Sequence, residues 1–457
     1  MLKQKIYTLL ATVSFIFFLS ASTCFSADFK FLITGFEPFG EYRKNPTEEL
    51  VKFINNSKSH LNNAEIKAIT FPVEYEKSLA ILRKTLNEYQ PDFIISLGFA
   101  PGSNKIKLEA IAENYSAGFS DNTGIKFHGA VIRGNPSQYS TDFPVYKFKD
   151  VLLKNGIPAE VSKDAGGYLC NYIFYHIMNY SQSRPEVKAG FIHVPDLPVH
   201  GDKGLWKTIQ IIINSLAESS IKVGVFEFEP LKDNIKENLT RIERLIDDTK
   251  KFKIGIYVFP EMTLTGLLYN SPRDLLEKNP ELKKSNITGT IKKIAKKYNT
   301  YIGIGLADIS NNKLYNSYQI FDPYGEQVLL YYKNHLFGSD YNWAEAGSSY
   351  PFFSAKFGNV GVLICHDVVH DESFEDYKTN NVDFLIIGTN WIGEQTIHRY
   401  IQKNFKKGPV FISDRKGKEG DTVFQGNTSV IKDNHIYYPV DITNKYRGVI
   451  FLHIKSF

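Results

Sequence analysis

Short apolar segments alternate with amphipathic ones along this chain, and this alternation restricts the fold more than any other feature. In the first half, Phe29–Thr34 and Asp92–Gly98 are predicted to be buried strands. Between them, Pro46–Ile54 and Tyr75–Leu86 carry apolar residues at helical spacing. A second alternation begins at Ile221. Because helices between strands favour a sheet covered on both faces, each half is predicted to be α/β.

The length of 457 residues favours two domains over one large core. Ser219 and Ser220 follow the amphipathic segment Trp206–Glu218 and mark the predicted boundary. We therefore assign residues 28–219 to a first domain and residues 220–457 to a second, each with its own core.

Residues 1–27 have the features of an export signal. A basic start precedes the apolar stretch Ile6–Leu19, which is short for a bilayer span, and small residues follow it. Cleavage between Cys24 and Asp28 would place the mature protein in the periplasm or outside the cell. A lipoprotein attached through Cys24 is the alternative, although the preceding residues fit it poorly. No later stretch is apolar enough to cross a membrane.

Composition excludes several classes of function. Hydrophobic residues make up 43% and charged residues 23% of the chain, as in ordinary globular proteins. The net charge of +5 is spread without long basic runs, so nucleic-acid binding is not predicted. The eleven histidines and three cysteines show no zinc-like spacing, and no phosphate-binding or dinucleotide fingerprint occurs. We predict no metal and no cofactor.

Cys170 lies where a predicted strand, Ile157–Lys163, gives way to a helix. Unpaired N–H groups and the positive end of the helix dipole gather at such a helix start, and both stabilise a thiolate. A buried structural cysteine is the alternative, because free cysteine is among the most buried residue types. His193 and Glu109 change this balance, since they would supply a base for the thiol and a carboxylate to orient that base.

Four blocks in the first half resemble pyroglutamyl peptidase I, a family of cysteine peptidases that remove an N-terminal pyroglutamyl residue. The blocks are TGFEPFG at Thr34–Gly40 with Asn45–Thr47 after it, Glu109–Asn114, GGYLCN at Gly166–Asn171, and IHVP at Ile192–Pro195. The resemblance covers about Phe29–Ala217 and implies a three-layer α/β/α fold.

The resemblance also implies roles for individual residues. Cys170 would be the nucleophile, His193 its base, and Glu109 the partner of the histidine. Phe36 and Phe39 match the family's aromatic walls around the lactam ring, and Asn45 is placed with them among the substrate-binding residues. The expected substrates are pyroglutamyl peptides, because an apolar slot with a few hydrogen bonds selects a compact uncharged ring.

In the second half, Glu261, Lys333 and Cys365 each stand where an apolar segment ends. Taken singly, they would be a loop carboxylate, a surface charge and an inert core thiol. The surrounding blocks resemble the nitrilase, or carbon–nitrogen hydrolase, superfamily. These blocks are FPEM at Phe259–Met262, KNHLF at Lys333–Phe337, GVLICHD at Gly361–Asp367, TNWIG at Thr389–Gly393 and FQGNTS at Phe424–Ser429.

This second resemblance implies a four-layer α-β-β-α sandwich with a Glu-Lys-Cys triad. Glu261 would accept the thiol proton and Lys333 would stabilise the oxyanion after attack by Cys365. Glu345 is assigned as the second glutamate that orients these groups. His366 replaces the aromatic residue usual after the nucleophile, which indicates an atypical pocket.

The two resemblances together predict an exported bifunctional cysteine hydrolase. One domain would act on pyroglutamyl peptides and the other on a small amide or nitrile. The alternatives are that the second domain is an acyltransferase, or that one domain is a binding module on an inactive fold. Assembly into a homo-oligomer is left open. After signal cleavage, we expect Cys170 and Cys365 to remain as two free thiols, because each belongs to its own domain.

Overall fold

The computed structural model describes residues 29–57, 61, 64–196, 201–284, 286–392 and 396–455. The predicted export signal at residues 1–27, with Cys24, lies outside these residues. Across the described part of the chain, no helix combines the length and the apolar character that a membrane span requires.

The first half of the described chain consists of strands and helices that alternate as the sequence predicts. The strands are β1 (Phe29–Phe36), β2 (Ala64–Phe71), β3 (Phe93–Phe99), β4 (Ile106–Glu109), β5 (Ile111–Glu113), β6 (Ser116–Ser120), β7 (Lys126–Gly129), β8 (Gln138–Ser140), β9 (Ala159–Ser162) and β10 (Lys188–Val194). The helices are α1 (Pro46–Asn56), α2 (Tyr75–Tyr89), α3 (Val145–Lys154), α4 (Leu169–Gln182) and α5 (Gly201–Ser219).

Six of these strands form one sheet in the order β2-β1-β3-β10-β4-β9. Residues that alternate along β1 face opposite sides of it. Ile33 joins a core that includes Leu50 of α1, Leu152 of α3 and Ile209 of α5, whereas Leu32 joins a core with α2 and α4. Helices therefore cover both faces, and the predicted three-layer α/β/α arrangement is confirmed.

The second half of the described chain contains the remaining elements. The strands are β11 (Ser220–Phe226), β12 (Ile256–Val258), β13 (Tyr301–Ser310), β14 (Lys313–Phe321), β15 (Gln327–Tyr332), β16 (Phe352–Ala355), β17 (Gly358–Ile364), β18 (Phe384–Thr389), β19 (Val410–Asp414), β20 (Lys416–Glu419), β21 (Thr422–Gln425), β22 (Ser429–Lys432), β23 (His435–Tyr437), β24 (Val440–Asp441) and β25 (Arg447–Ile454). The α-helices are α6 (Ile235–Thr249), α7 (Pro272–Lys278), α8 (Asn286–Tyr298), α9 (Asp340–Trp343), α10 (Asp371–Thr379) and α11 (Thr396–Asn404), with 3₁₀ turns at Lys250–Phe252, Pro280–Lys284 and Cys365–Val369.

Two large sheets pack face to face in this half. One has the order β15-β14-β13-β12-β11-β25-β24, and the other has the order β16-β17-β18-β19-β22-β23. An apolar core between the sheets includes Val258 of one sheet and Val362 of the other. Helices α6 and α8 pack outside the first sheet, and α10 and α11 outside the second. The predicted four-layer α-β-β-α sandwich is confirmed.

The two halves meet without a linker, because α5 ends at Ser219 and β11 begins at Ser220. Each of the three large sheets takes its strands from one side of this position. The halves also share a buried contact, in which the Lys222 ammonium lies 2.7 Å from the Asp92 carboxylate. Leu452 of β25 is packed in the core of the first half, and its N–H donates to the carbonyl of Pro185.

The buried pair Asp92–Lys222 should contribute to the stability of the whole chain. Lys222→Ala leaves the Asp92 carboxylate, 11% exposed, without its cation. We expect a destabilisation of about 3–5 kcal/mol, the usual result of removing one partner of a buried pair.

The matched control is Lys105→Ala, because Lys105 and Glu160 form a pair that is 49% and 42% exposed. That change should cost less than about 1 kcal/mol. The thermal unfolding midpoint of each variant measures these effects. If Lys222→Ala and Lys105→Ala lower the midpoint by the same amount, a buried contact between the halves is contradicted.

Candidate active sites

Cys170 is the second residue of α4, which follows the turn after β9. Gly166 in this turn has a φ of +79°, a conformation that glycine adopts without strain. The thiol is half-buried. It therefore lies among the unpaired N–H groups of a helix start and is still accessible to a substrate.

His193 on β10 and Glu109 at the end of β4 lie beside this thiol. The two strands pair antiparallel, and Nδ1 of His193 lies 2.8 Å from the carboxylate of the fully buried Glu109. Cys170 hydrogen-bonds the same imidazole. A Cβ on Gly98 would lie 2.8 Å from Cδ2 of His193, so the neighbouring strand leaves room for the ring only because it has glycine there.

The charge state of His193 follows from these contacts. Burial lowers the pKa of the imidazole, but the hydrogen bonds that the ring makes to Cys170 and Glu109 outweigh burial and raise its pKa to about 9. At neutral pH the ring is therefore an imidazolium. A cation beside a thiol favours the thiolate, which is the nucleophilic form of cysteine.

The residues predicted to bind the substrate divide into two groups. Phe39 is partly exposed and belongs to an aromatic cluster with Phe99 and Tyr168, at 6.2 Å between ring centroids in both pairs. Tyr168 immediately precedes the helix that carries the thiol. Phe36, by contrast, is only 3% exposed and packs in the core.

Asn45 is fully buried, and its described contacts are structural. Its side chain caps α1 by accepting from the N–H of Thr47, and it donates to the carbonyl of Glu37. Asn45 thus holds the loop that carries Phe39 against the start of the helix. Of the three residues, Phe39 is the one that the structure places in the partly exposed aromatic cluster.

A second thiol centre lies at one end of the two packed sheets. Glu261 follows β12, Lys333 follows β15, and Cys365 follows β17 of the opposite sheet. The ammonium of Lys333 lies 2.7 Å from the carboxylate of Glu261. A Cβ on Gly305 would lie 2.6 Å from Cα of Glu261, so β13 can lie against the loop of Glu261 only with glycine there.

Asp340 is a further member of this centre that sequence reasoning missed. Its carboxylate is fully buried and lies 2.6 Å from the Lys333 ammonium. Asn316 donates to both Glu261 and Asp340, and Asn390 donates to the second oxygen of Glu261. Two carboxylates and two amides therefore fix the position of one buried cation.

The assignment of Glu345 as the orienting carboxylate is corrected by this geometry. Glu345 is exposed and lies 3.5 Å from Lys313, whereas Asp340 contacts Lys333. The sequence does indicate Asp340, because this carboxylate begins a short helical turn seven residues after Lys333. A search restricted to glutamate overlooks it, although the shorter aspartate reaches the ammonium from that turn.

Burial sets the charge states of the second centre. It raises the pKa of Cys365 to about 12, with a further increase from Glu261 that Lys333 and two hydrogen bonds only partly offset. Burial likewise raises the pKa of Glu261, against the opposing effect of Lys333. Burial alone would lower the pKa of Lys333, but Glu261, Cys365 and Asp340 raise it well above its usual range. At neutral pH, Cys365 is a thiol and Lys333 is a cation.

The backbone at Cys365 is strained, because its φ of +45° lies in a region that non-glycine residues seldom occupy. Asp367 holds this turn. Its buried carboxylate accepts from the N–H of Ile364 at 3.0 Å and from the hydroxyl of Tyr331 at 2.6 Å. The side chain of Cys365 is thereby kept at the head of its strand, in hydrogen-bond contact with Thr389 and the N–H of Asn390.

Two thiol centres, each with a base and a charged partner, define a cysteine-dependent hydrolase. Comparison with known proteins agrees with this class. The pyroglutamyl peptidase family model matches residues 29–210, and the carbon–nitrogen hydrolase model matches residues 222–431. The chain belongs to the pyroglutamyl peptidase family, and it carries a carbon–nitrogen hydrolase domain after that region. The expected fusion of these two families is confirmed.

Individual relatives match the first half of the chain. The pyrrolidone-carboxylate peptidase of Pyrococcus furiosus is 40% identical over 172 residues, which are 37% of this chain and 82% of the relative. The enzyme of that name from Bacillus velezensis is 35% identical over 210 residues, covering 45% of this chain and 95% of the relative. The solved structure of the pyrrolidone carboxyl peptidase from Thermococcus litoralis is 33% identical with a TM-score of 0.39, and the match covers 41% of this chain and 92% of that one.

The two thiols, which are both free, should differ in their reaction with iodoacetamide. Cys365 has a pKa of about 12, so its thiolate fraction and alkylation rate should rise about tenfold per pH unit between pH 7 and 10. Cys170 is half-buried whereas Cys365 is buried, so the alkylation rate of Cys170 at pH 7.5 should be at least about tenfold higher than that of Cys365. Peptide mass spectrometry of timed samples measures both rates. Equal rates, or a Cys170–Cys365 disulfide as the main species, would refute this description.

Proposed function

We propose that this protein is an exported bifunctional cysteine hydrolase with domains at residues 28–219 and 220–457. The first domain removes N-terminal pyroglutamyl residues from peptides. The second hydrolyses the C–N bond of a small non-peptide amide or nitrile. The periplasm or the cell exterior is the proposed location, and the basis for it is the signal-like sequence at residues 1–27.

The first activity rests on the Cys170–His193–Glu109 contact. The Cys170 thiolate attacks the carbonyl carbon of the pyroglutamyl residue, and N–H groups at the start of α4 stabilise the oxyanion. The His193 imidazolium then donates its proton to the leaving amine, which releases the shortened peptide. A water molecule, deprotonated by the now neutral imidazole, hydrolyses the thioester. Glu109 holds the ring through Nδ1 during both proton transfers.

The second activity rests on the contact between Lys333, Glu261 and Asp340. Because Cys365 is a neutral thiol, attack on the substrate carbon requires a base, and the raised pKa of Glu261 suits that role. The proton taken by Glu261 goes to the leaving amine, or to the nitrogen of a nitrile. For an amide, a water molecule deprotonated by Glu261 then hydrolyses the thioester, which releases the carboxylic acid and returns a proton to the Cys365 thiolate. For a nitrile, a further water first converts the thioimidate into the thioester with release of ammonia. The ammonium of Lys333 uses two of its three donors on Glu261 and Asp340. The third donor is then available to the oxyanion.

Single substitutions should separate the two activities in the full chain. Cys170→Ala should lower the rate of hydrolysis of a chromogenic pyroglutamyl amide by a factor on the order of 10³ or more. The second activity should be unchanged in this variant. Lys333→Met should have the reverse effect on turnover of a panel of simple amides and nitriles. Each variant is the control for the other. Loss of both activities in either variant would contradict two independent centres.

Product analysis tests the reaction type of the second centre. Hydrolysis gives a carboxylic acid without any added amine. If products form only when an amine acceptor is present, the second domain is an acyltransferase and the proposed hydrolysis is wrong. Retention of activity by Lys333→Met would exclude the proposed triad.

Asp340 and Glu345 offer a matched test of the second carboxylate. Asp340→Asn keeps the shape of the side chain and removes the charge that positions Lys333. The second activity should fall on the order of 10²-fold, comparable to loss of one preorganised donor. Glu345→Gln, on an exposed residue, should change it little. Initial rates on the best panel substrate measure both effects, and a larger loss for Glu345→Gln would restore the assignment made from the sequence.

A further inference from the structure

Three imidazoles lie in a row beside the second thiol centre. His366 follows the nucleophile and packs edge-on against His370, at 5.1 Å between ring centroids. His370 in turn stacks on His335, at 3.6 Å with 9° between the ring planes. The carboxylate of Glu372 lies 3.0 Å from Nε2 of His335. The proposed hydrolysis uses none of these four side chains.

His335, His370 and Glu372 offer a set of ligand atoms that all lie within 4.8 Å of one another. Zinc–nitrogen bonds of about 2.0–2.1 Å place tetrahedral ligand atoms about 3.3 Å apart. Binding of an ion therefore requires these atoms to approach one another and one ring to reorient. The side chain of Glu372 is 63% exposed, which leaves it free to make that approach.

Asp367 already orients one of the ligands. Its fully buried carboxylate accepts from the backbone N–H of His335 and lies 3.1 Å from Nδ1 of the same ring. A histidine that binds a metal commonly donates its other ring N–H to a carboxylate in this way. The arrangement fixes the ring of His335 and leaves Nε2 on the side of Glu372.

His370 supplies an independent indication. Its Nε2 is buried and has no hydrogen-bond partner among the described residues. A buried polar atom without a partner is unfavourable, and a bound ion would satisfy it. A metal ion lies near the plane of each imidazole that binds it, so binding turns one ring out of the stack. His370 is the ring that can turn, since Asp367 holds His335.

We propose that His335, His370 and Glu372 form a binding site for a divalent transition-metal ion of the zinc class. Two imidazoles and one carboxylate suit such ions, whereas magnesium and calcium prefer oxygen ligands. The site joins the segment after Lys333 to the segment after Cys365. A bound ion therefore cross-links the two loops that carry the cation and the nucleophile of the second centre.

Isothermal titration of the full chain, with any tag removed and after treatment with EDTA, tests the site. Zinc chloride should bind with one ion at this site, and magnesium chloride should not compete with it. His370→Ala and Glu372→Gln should each weaken zinc binding by at least about tenfold, the lower range for loss of a partner around a metal. His435→Ala, on an exposed histidine of β23, is the matched control and should bind as the parent does. Circular dichroism checks that each variant is folded.

The catalytic thiols are the main competing ligands, because thiolates also bind zinc. The double variant Cys170→Ala/Cys365→Ala removes both and should retain the binding. Cobalt(II) in this variant should give visible absorption bands that Glu372→Gln reduces. Loss of zinc binding in the double variant, or unchanged binding in both His370→Ala and Glu372→Gln, would overturn the proposal.

Discussion

A buried ammonium group ties together distant segments of the second domain. Lys333 is 2% exposed, and removing a charge from water costs several kcal/mol unless it is paired. Glu261 and Asp340 provide the pairing, and Asn316 and Asn390 satisfy the oxygens of these carboxylates. The interaction draws residues from both packed sheets to one point. Cys365 lies beside that point, and Glu261 and Lys333 shift the pKa of its thiol in opposite directions.

The two thiol centres differ in their electrostatic surroundings. In the first, contacts with Cys170 and Glu109 raise the pKa of His193, which keeps a cation beside a half-buried sulfur. In the second, burial raises the pKa of both Cys365 and Glu261, which keeps the sulfur protonated at neutral pH. One thiol is thus half-buried beside an imidazolium, and the other is buried and protonated at neutral pH.

Much of this architecture was predictable from local pattern. Strand and helix periodicity identified β1, α1 and β3 within a few residues, because each buries one face or both. The resemblances then supplied the polar residues at the strand ends. The structural roles of Phe36 and Asn45 could not be predicted from the sequence. Packing decides whether such a side chain faces a pocket or the core, and both of these side chains are buried.

Contacts between distant segments were the hardest to predict. Asp340 was missed because its reach to Lys333 depends on a short helical turn, and Glu345 has the expected residue type without the position. The histidine cluster is a similar case. His335 and His370 are separated by a strand pair and a loop, so no short spacing indicates that their rings stack. Only the convergence of β15 and β17 brings them together.

The place of Leu452 affects the order in which this protein can mature. The residue belongs to β25, yet it is buried in the core of the first half and its N–H donates to the carbonyl of Pro185. During synthesis the first half leaves the ribosome long before that strand exists. Its apolar core therefore lacks Leu452 until β25 has been synthesised. A chain truncated before β25 would leave the neighbours of Leu452 in that core without this contact.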